Sequence, residues 1–226
     1  MKNKKMNLSI IISSVSTMAF ILFTFLVKFV DTAYVGFTGK KIGLSSLNKV
    51  FFDAVEVNDV FDKLSDMVMV VSVLLILLAV ITAIVELIKR KSLKKIDKEI
   101  YSFVIVLAIM SVVYILFEII DLNFRPILID GEIEASYPSS HIMIELTVFM
   151  CALIYTLNNV KSINLKIFIS SIISVFMIMA VVFRILSGMH WVTDIIASII
   201  LSATFASYYV LINNLLKCKN KNEKQI

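Results

Sequence analysis

Six long apolar blocks constrain this chain more than any other feature. They run approximately over Leu8–Val27, Val68–Ile88, Tyr101–Ile120, Ile142–Leu157, Ile167–Phe183 and Val192–Leu216. A helix rises about 1.5 Å per residue, so roughly 17–25 residues cross a bilayer. The fourth and fifth blocks are at the short end and need polar flanking residues to complete a span. None alternates with the period of two that barrel strands show. Of the 226 residues, 59% are hydrophobic and only 17% charged, where a soluble domain is about a quarter charged and under half apolar. The pattern predicts an all-α, polytopic membrane protein: one membrane domain over residues 1–226 with six transmembrane helices. The first block is longer than the ~7–15 apolar residues of a secretion signal, and no small-x-small cleavage site follows it. It reads as a retained helix.

The formal net charge of +5 resolves into topology once it is located. Lys2, Lys4 and Lys5 precede the first block. Lys89, Arg90, Lys91, Lys94, Lys95 and Lys98 separate the second from the third. Lys161 and Lys166 lie between the fourth and fifth, and Lys217, Lys219, Lys221 and Lys224 occupy the tail 217–226. A six-span chain puts all of them on one side, cytoplasmic by the positive-inside rule, together with both termini. This is the plainer account of the charge, and no nucleic-acid partner is expected. The two cysteines, Cys151 and Cys218, have no metal-ligand spacing and read as free thiols. The sequence fixes no oligomeric state. Its lysine-rich, arginine-poor usage fits, by association, a bacterial chain.

The other side carries three segments. Residues 31–66 form the long one, with Gly36, Gly39 and Gly43 keeping its first half irregular. After Ser45 and Ser46, the residues Leu47, Val50, Phe51 and Ala54 recur at helical spacing opposite Asn48, Lys49 and Asp53. This predicts a short amphipathic helix, lying on the membrane surface or closing over the bundle. Asn58 or Asp59 caps the turn into the second span. Residues 121–141 are acidic, with Asp121, Asp130, Glu132 and Glu134 against Arg125. Residues 183–194 are too few for a domain and sufficient for a site.

The rare residues gather on that side. Both histidines (His141, His190), both prolines (Pro126, Pro138), the single tryptophan (Trp191) and two of three arginines (Arg125, Arg184) lie in or beside the outer ends of the last four helices. Guanidinium groups bind phosphate oxygens in a planar, bidentate way that lysine cannot copy. Ser139 and Ser140 stand at a helix start, where unpaired N–H groups attract an anion; taken alone, a simple serine cap is the favoured account of them. His190 and Asp194 are four apart. A carboxylate on one imidazole nitrogen leaves the other free to attack, although a structural His–Asp contact has the same spacing. Arg184 by itself could be an interfacial anchor. Independent caps and anchors have no reason to assemble at one membrane face. The set supplies a nucleophile with its orienting acid, a second histidine for proton transfer, and an anion cradle.

At this point the sequence resembles the type-2 phosphatidic-acid phosphatases, or lipid phosphate phosphatases, whose pattern is Lys-x6-Arg-Pro, Pro-Ser-Gly-His and Ser-Arg-x5-His-x3-Asp. Arg125-Pro126 matches the end of the first motif. Pro138-Ser139-Ser140-His141 matches the second with Ser140 for glycine, and Arg184-x5-His190-x3-Asp194 matches the third with Phe183 for serine. Where the family carries lysine, seven residues before Arg125, this chain has Glu118. The resemblance implies a phosphohistidine mechanism. His190 attacks phosphorus, Asp194 orients it, and His141 protonates the leaving oxygen and then activates water. Arg125, Arg184, Ser139 and Ser140 hold phosphate oxygens, and neither metal nor cofactor is required. Glu145, one turn after His141, either tunes it or packs beside it. Glu86 is expected to pair with lysines at the inner face. Seven residues are two helical turns, so Glu118 lies on the same face of the third helix as Arg125, about 10 Å further into the membrane; it can pair with Arg125 or Arg184, stay protonated or receive a cationic headgroup, and pairing with an arginine is expected.

The expected activity is hydrolysis of a lipid phosphate or diphosphate at the extracytoplasmic leaflet of the cell membrane, with membrane lipids as surroundings. Candidate substrates are phosphatidic acid, phosphatidylglycerophosphate, diacylglycerol pyrophosphate and polyprenyl diphosphate. Two rivals stand beside it: transfer of the phosphoryl group to a lipid or sugar hydroxyl, and a non-catalytic lipid-binding or transport role, which Glu118 favours and the retained His141, His190 and Asp194 oppose.

Overall fold

The structure is a computed structural model that describes residues 2–35, 39–120, 122–129 and 131–222. Gly36, Asp121, Asp130 and Lys224 lie outside the described residues. The order of elements is α1 (Lys2–Phe29), β1 (Ala33–Val35), β2 (Lys40–Ile42), α2 (Ser45–Asp53), α3 (Asp59–Arg90), a single 3-10 turn (Leu93–Lys95), α4 (Lys98–Ile119), α5 (Ser140–Asn159), α6 (Ile163–Leu186) and α7 (Val192–Asn222). Six helices, all but α2, are long and apolar enough to cross a membrane.

The spans are not equivalent. In α5 and α7, half of the most apolar window is buried, against 11–17% in the other four. These two helices form the centre and the rest surround them. One core cluster joins Phe20 of α1, Val106 of α4, Cys151 of α5 and Leu201 of α7. A second joins Val68 of α3, Phe149 of α5, Ala180 of α6 and Ile195 of α7. A central helix meets protein rather than lipid, so it can carry Glu145, Thr147 and Thr156, all buried. That is why the fourth block looked short: polar residues interrupt its apolar run although the helix spans 20 residues.

Small hydroxylated residues let α7 approach its neighbours closely and bond to them. The Ser198 hydroxyl lies 2.9 Å from the Ser139 carbonyl oxygen and 2.8 Å from that of Asp194. Ser202 Oγ donates to the Met143 carbonyl at 3.0 Å. These bonds fasten the start of α5, where Ser139 and Ser140 lie, to the first turns of α7, where Asp194 lies. On the opposite flank, Ser16 and Ser207 hydroxyls meet at 3.3 Å, and Thr17 meets Tyr208 at 3.2 Å. Glu86, expected to pair with lysines, instead bonds Arg90 one turn later and accepts the Asp97 N–H at 2.8 Å.

Several boundaries differ from the sequence reading. The segment expected over residues 31–66 ends at Asn58, whose side chain accepts from the Val60 and Phe61 N–H groups and caps α3. Asp62 and Asp66 are therefore helical. Part of the stretch expected to be irregular is an antiparallel hairpin, with Tyr34 opposite Lys41; three-residue strands fall below what alternation can reveal. The tail is not separate, because α7 runs on to Asn222. The short helix α2 forms where expected, and Asp31 caps it from a distance. The Ser46 N–H donates to Asp31 Oδ2 at 2.8 Å, a bond that holds this carboxyl below its usual range. The buried side of α2 is polar. Asn48 is fully buried and bonds Thr193 Oγ1 and the Gly43 carbonyl, both at 2.9 Å, while Val50 is 68% exposed. Thus α2 both fastens to the bundle through Asn48 and presents its apolar face outward.

Candidate active site

His190 occupies the short connection between α6 and α7. That connection turns at Gly188, which has a φ of +68°. A Cβ there would lie 3.1 Å from Val57 Cα, so glycine is needed both for conformation and for space. The Asn58 N–H, donating to the Ser187 carbonyl at 3.1 Å, holds the loop against the entrance to α3. His190 Nδ1 lies 3.1 Å from the Ser136 carbonyl oxygen. A carbonyl only accepts, so Nδ1 carries the hydrogen and Nε2 carries the lone pair. Nε2 is buried and has no protein partner. Burial pushes the His190 pKa down from 6.5 to about 4, against the opposing pull of Asp194. The ring is therefore neutral at pH 7 and able to act as a nucleophile.

Asp194 was expected to hold this ring directly. Its Oδ2 is 3.7 Å from Nδ1, beyond a hydrogen bond. Instead, Oδ2 accepts the Trp191 N–H at 3.2 Å and Oδ1 accepts Asn123 Nδ2 at 3.1 Å. The carbonyl of Ser136 fixes the tautomer, and Asp194 organises the loop while placing a negative charge behind the ring. The reason is geometric: His190 precedes the helix, so the four-residue spacing does not give the helical i,i+4 approach.

Arg184 ends α6 and is 2% exposed. Its NH1 contacts Asp62 Oδ1 of α3 at 2.8 Å, while Nε and NH2 are buried with no protein partner. His141, in the first turn of α5, has Nε2 3.1 Å from Asp66 Oδ1, one turn further along α3. Its Nδ1 is likewise buried without a partner. Glu145 is fully buried, with neither oxygen hydrogen-bonded, and lies within the field of Arg184 rather than bonded to His141. Ser139 stands at the N-cap position of α5, but its side chain makes no cap bond and its Oγ has no partner. Capping therefore does not account for this serine. Buried polar groups are almost always paired, so this concentration of unpaired ones marks hydrogen-bonding capacity held for a polar ligand.

Arg125 lies in the loop before α5, a bridged structure with Phe124 paired to Ala135. Its Nε is 3.0 Å from Glu134 Oε2, close but poorly aligned for a hydrogen bond, and NH1 reaches the Met189 carbonyl at 3.5 Å. The expected pairing of Glu118 with an arginine is not observed: Arg125 pairs with Glu134, and Arg184 with Asp62. The helix α4 stops at Ile119, so Arg125 is not on it and Glu118 lies at its outer end, exposed. Tyr114 lies one turn earlier on the same helix, within the field of Glu118. A cleft of about 30 Å³ brings together Glu118, Tyr114, Arg125, Ser140, Tyr137 and His190. His141, Arg184 and Ser139 do not line it; His141 and Arg184 stand on the side towards α3.

Sequence reasoning missed five residues here: Asn48, Asp62, Asp66, Asn123 and Glu134. Asp59, Asp62 and Asp66 have helical spacing, and that signal was lost by assigning them to a loop. Asn123, whose Oδ1 also accepts the Gly43 N–H at 3.1 Å, and Asn48 act across gaps of 70 to 145 residues. No local pattern announces them.

A family model described as the PAP2 superfamily matches residues 120–217. This stretch of the chain is similar to that superfamily. It contains Arg125, the Pro138–His141 motif and Arg184-x5-His190-x3-Asp194, so the resemblance drawn from the motifs holds; Glu118 falls just before it. A crystal structure described as a transmembrane PAP2-type phosphatidylglycerolphosphate phosphatase from Bacillus subtilis superposes with a TM-score of 0.53 at 16% identity, covering 93% of this chain and 96% of that one. The six-span PAP2 fold thus extends over nearly the whole chain. No curated protein matches it in sequence.

Proposed function

We propose that the chain is a lipid phosphatase that hydrolyses a lipid phosphate or diphosphate through a phosphohistidine on His190. The observation that carries this reading is the state of His190: Nδ1 is fixed by a backbone carbonyl, Nε2 is buried without a partner, and the residue lines the cleft that Arg125 and Ser140 share. An imidazole tied at one nitrogen is an oriented nucleophile at the other.

In the first step Nε2 attacks phosphorus, and the N–P bond forms as the bond to the leaving oxygen breaks. His141, oriented by Asp66, gives its proton to that oxygen. In the second step water attacks phosphorus, His141 takes its proton, and the N–P bond breaks to release phosphate. Arg125 and the unpaired edge of Arg184 bind the equatorial oxygens, with Ser139 and Ser140 hydroxyls donating beside them. No metal enters this scheme. Asp62 and Glu134 hold the arginines in place, so phosphate must compete with two carboxylates. The lysines at the opposite end of the bundle support a site at the extracytoplasmic leaflet with both termini in the cytoplasm.

The test is phosphate release by the detergent-purified full chain over phosphatidic acid, phosphatidylglycerophosphate, diacylglycerol pyrophosphate and a polyprenyl diphosphate, with EDTA present. We expect release from at least one, abolished by His190→Ala. Near-normal release from His190→Ala contradicts the mechanism. Labelled phospholipid product in place of free phosphate would mark a transferase. No turnover of any kind would favour the non-catalytic lipid-binding reading, to which Glu118 lends support.

A further inference from the structure

The charge around this site is the reverse of what a bare phosphate requires. Two arginines, Arg125 and Arg184, are surrounded by the carboxyl groups of Glu118, Glu134, Asp62, Asp66, Glu145 and Asp194. Glu134 and Asp62 already neutralise the two guanidinium groups. In the cleft itself His190 is neutral and Arg125 is paired, and among the described residues the Glu118 carboxylate makes no ion pair. Glu118 lines that cleft together with His190, so a phosphoryl group seated for attack there lies near the carboxylate. Like charges held close repel, with solvent screening part of the effect because Glu118 is exposed.

The walls beside Glu118 show what restores the balance. Tyr114, Phe117 and Tyr137 line the same cleft as Glu118. A carboxylate among aromatic faces suits an ammonium group, which gains both the ion pair and the ring quadrupoles. A divalent cation fits less well, since it needs several oxygen ligands together, and among the described residues no three His, Cys, Asp or Glu side chains converge as a metal-holding group.

We propose that the substrates of this site are phosphate esters carrying an ammonium group a few atoms from phosphorus, with Glu118 receiving the cation while Arg125 holds the phosphate. This rests on the cleft being the phosphoryl site. It gives Glu118 a positive role: where a lysine would add affinity for any phosphate, a glutamate selects the zwitterionic ones.

The test compares 2-aminoethylphosphonate with ethylphosphonate, which cannot be hydrolysed, by phosphorus NMR titration of the full chain in detergent with EDTA present. A charge-assisted hydrogen bond predicts about tenfold tighter binding of the amine, or more. Glu118→Gln removes the charge at nearly unchanged size and should bring the two ligands within about twofold of one another, as expected once that ion pair is lost. Equal binding in the wild type overturns the proposal. So does a preference that survives Glu118→Gln, or binding of both ligands that appears only when magnesium replaces EDTA. Because binding is read without turnover, the outcomes separate. An amine preference with no phosphate release from any lipid would sink the hydrolase reading alone. Phosphate release without an amine preference would sink the proposal alone.

Discussion

At the scale of single residues, His190 is the most sharply defined group. The Ser136 carbonyl fixes its tautomer and burial suppresses its protonation. Nitrogen NMR of labelled histidine, in a His141→Gln background, should show the Nδ1–H tautomer persisting as pH falls, with imidazolium forming only near pH 4. Titration near 6.5 would mean that the ring is solvated. The sign for stability follows from the depressed folded value. The contribution of His190 is full above its unfolded pKa of 6.5 and is lost as pH falls through about 4. Asp194 is constrained differently, since each of its oxygens accepts from a separate donor. Asp194→Asn sets an amide N–H₂ against one of those donors, while Ser136 still holds the His190 tautomer. Activity should therefore fall by roughly 10–100-fold, the usual cost of losing an orienting neighbour, rather than the ~10⁴-fold seen when a triad Asp also sets the tautomer. Steady-state kinetics on the active lipid decides between the two. The motif residues were legible in the sequence because their chemical type is rare in so apolar a chain. Their partners were not, because a backbone carbonyl such as that of Ser136 has no signature in side-chain pattern.

Among the elements, α3 changes most between sequence and structure. Its apolar block starts at Val68, but the helix begins at Asp59, and the extra turns deliver Asp62 and Asp66 to Arg184 and His141. Composition hid this, since a polar helical extension beyond the bilayer resembles a loop. Removing Asp62 leaves a guanidinium that is 2% exposed without its carboxylate. Asp62→Ala should destabilise the fold by somewhat less than the ~3–5 kcal/mol typical of a broken buried pair, because the Asp62 side chain is 29% exposed. Thermal unfolding in detergent should show a lower Tm. An unchanged Tm would show that the pair contributes little. The helices α5 and α7 teach the complementary lesson. Their most apolar windows have mean hydropathies of 1.7 and 2.0, below the 2.3–3.2 of the other spans, because they are central, and Ser198 and Ser202, polar in sequence, are what join them.

For the whole molecule, the six spans and the end at which the rare residues gather were readable from sequence, since hydrophobic length and lysine placement are global signals. The hairpin at Ala33–Ile42 and the bonds from Asn48 and Asn123 were not, since they depend on how distant segments meet. The sidedness inferred from lysine placement predicts that a cysteine at Glu132, in a chain freed of Cys151 and Cys218, reacts with impermeant maleimide in intact cells. One at Leu93 should react only after permeabilisation. The reverse pattern would place the site in the cytoplasm.

The central claim is that His190 carries the phosphoryl group. It is tested most directly by rapid acid-free quench of the purified chain with lipid labelled in its phosphate, followed by peptide mapping. The account predicts a phosphoryl group on His190 that is lost in acid and stable in alkali, and that is absent from His190→Ala. Turnover of the labelled lipid with no phosphoenzyme, or with label on any residue other than His190, would contradict it.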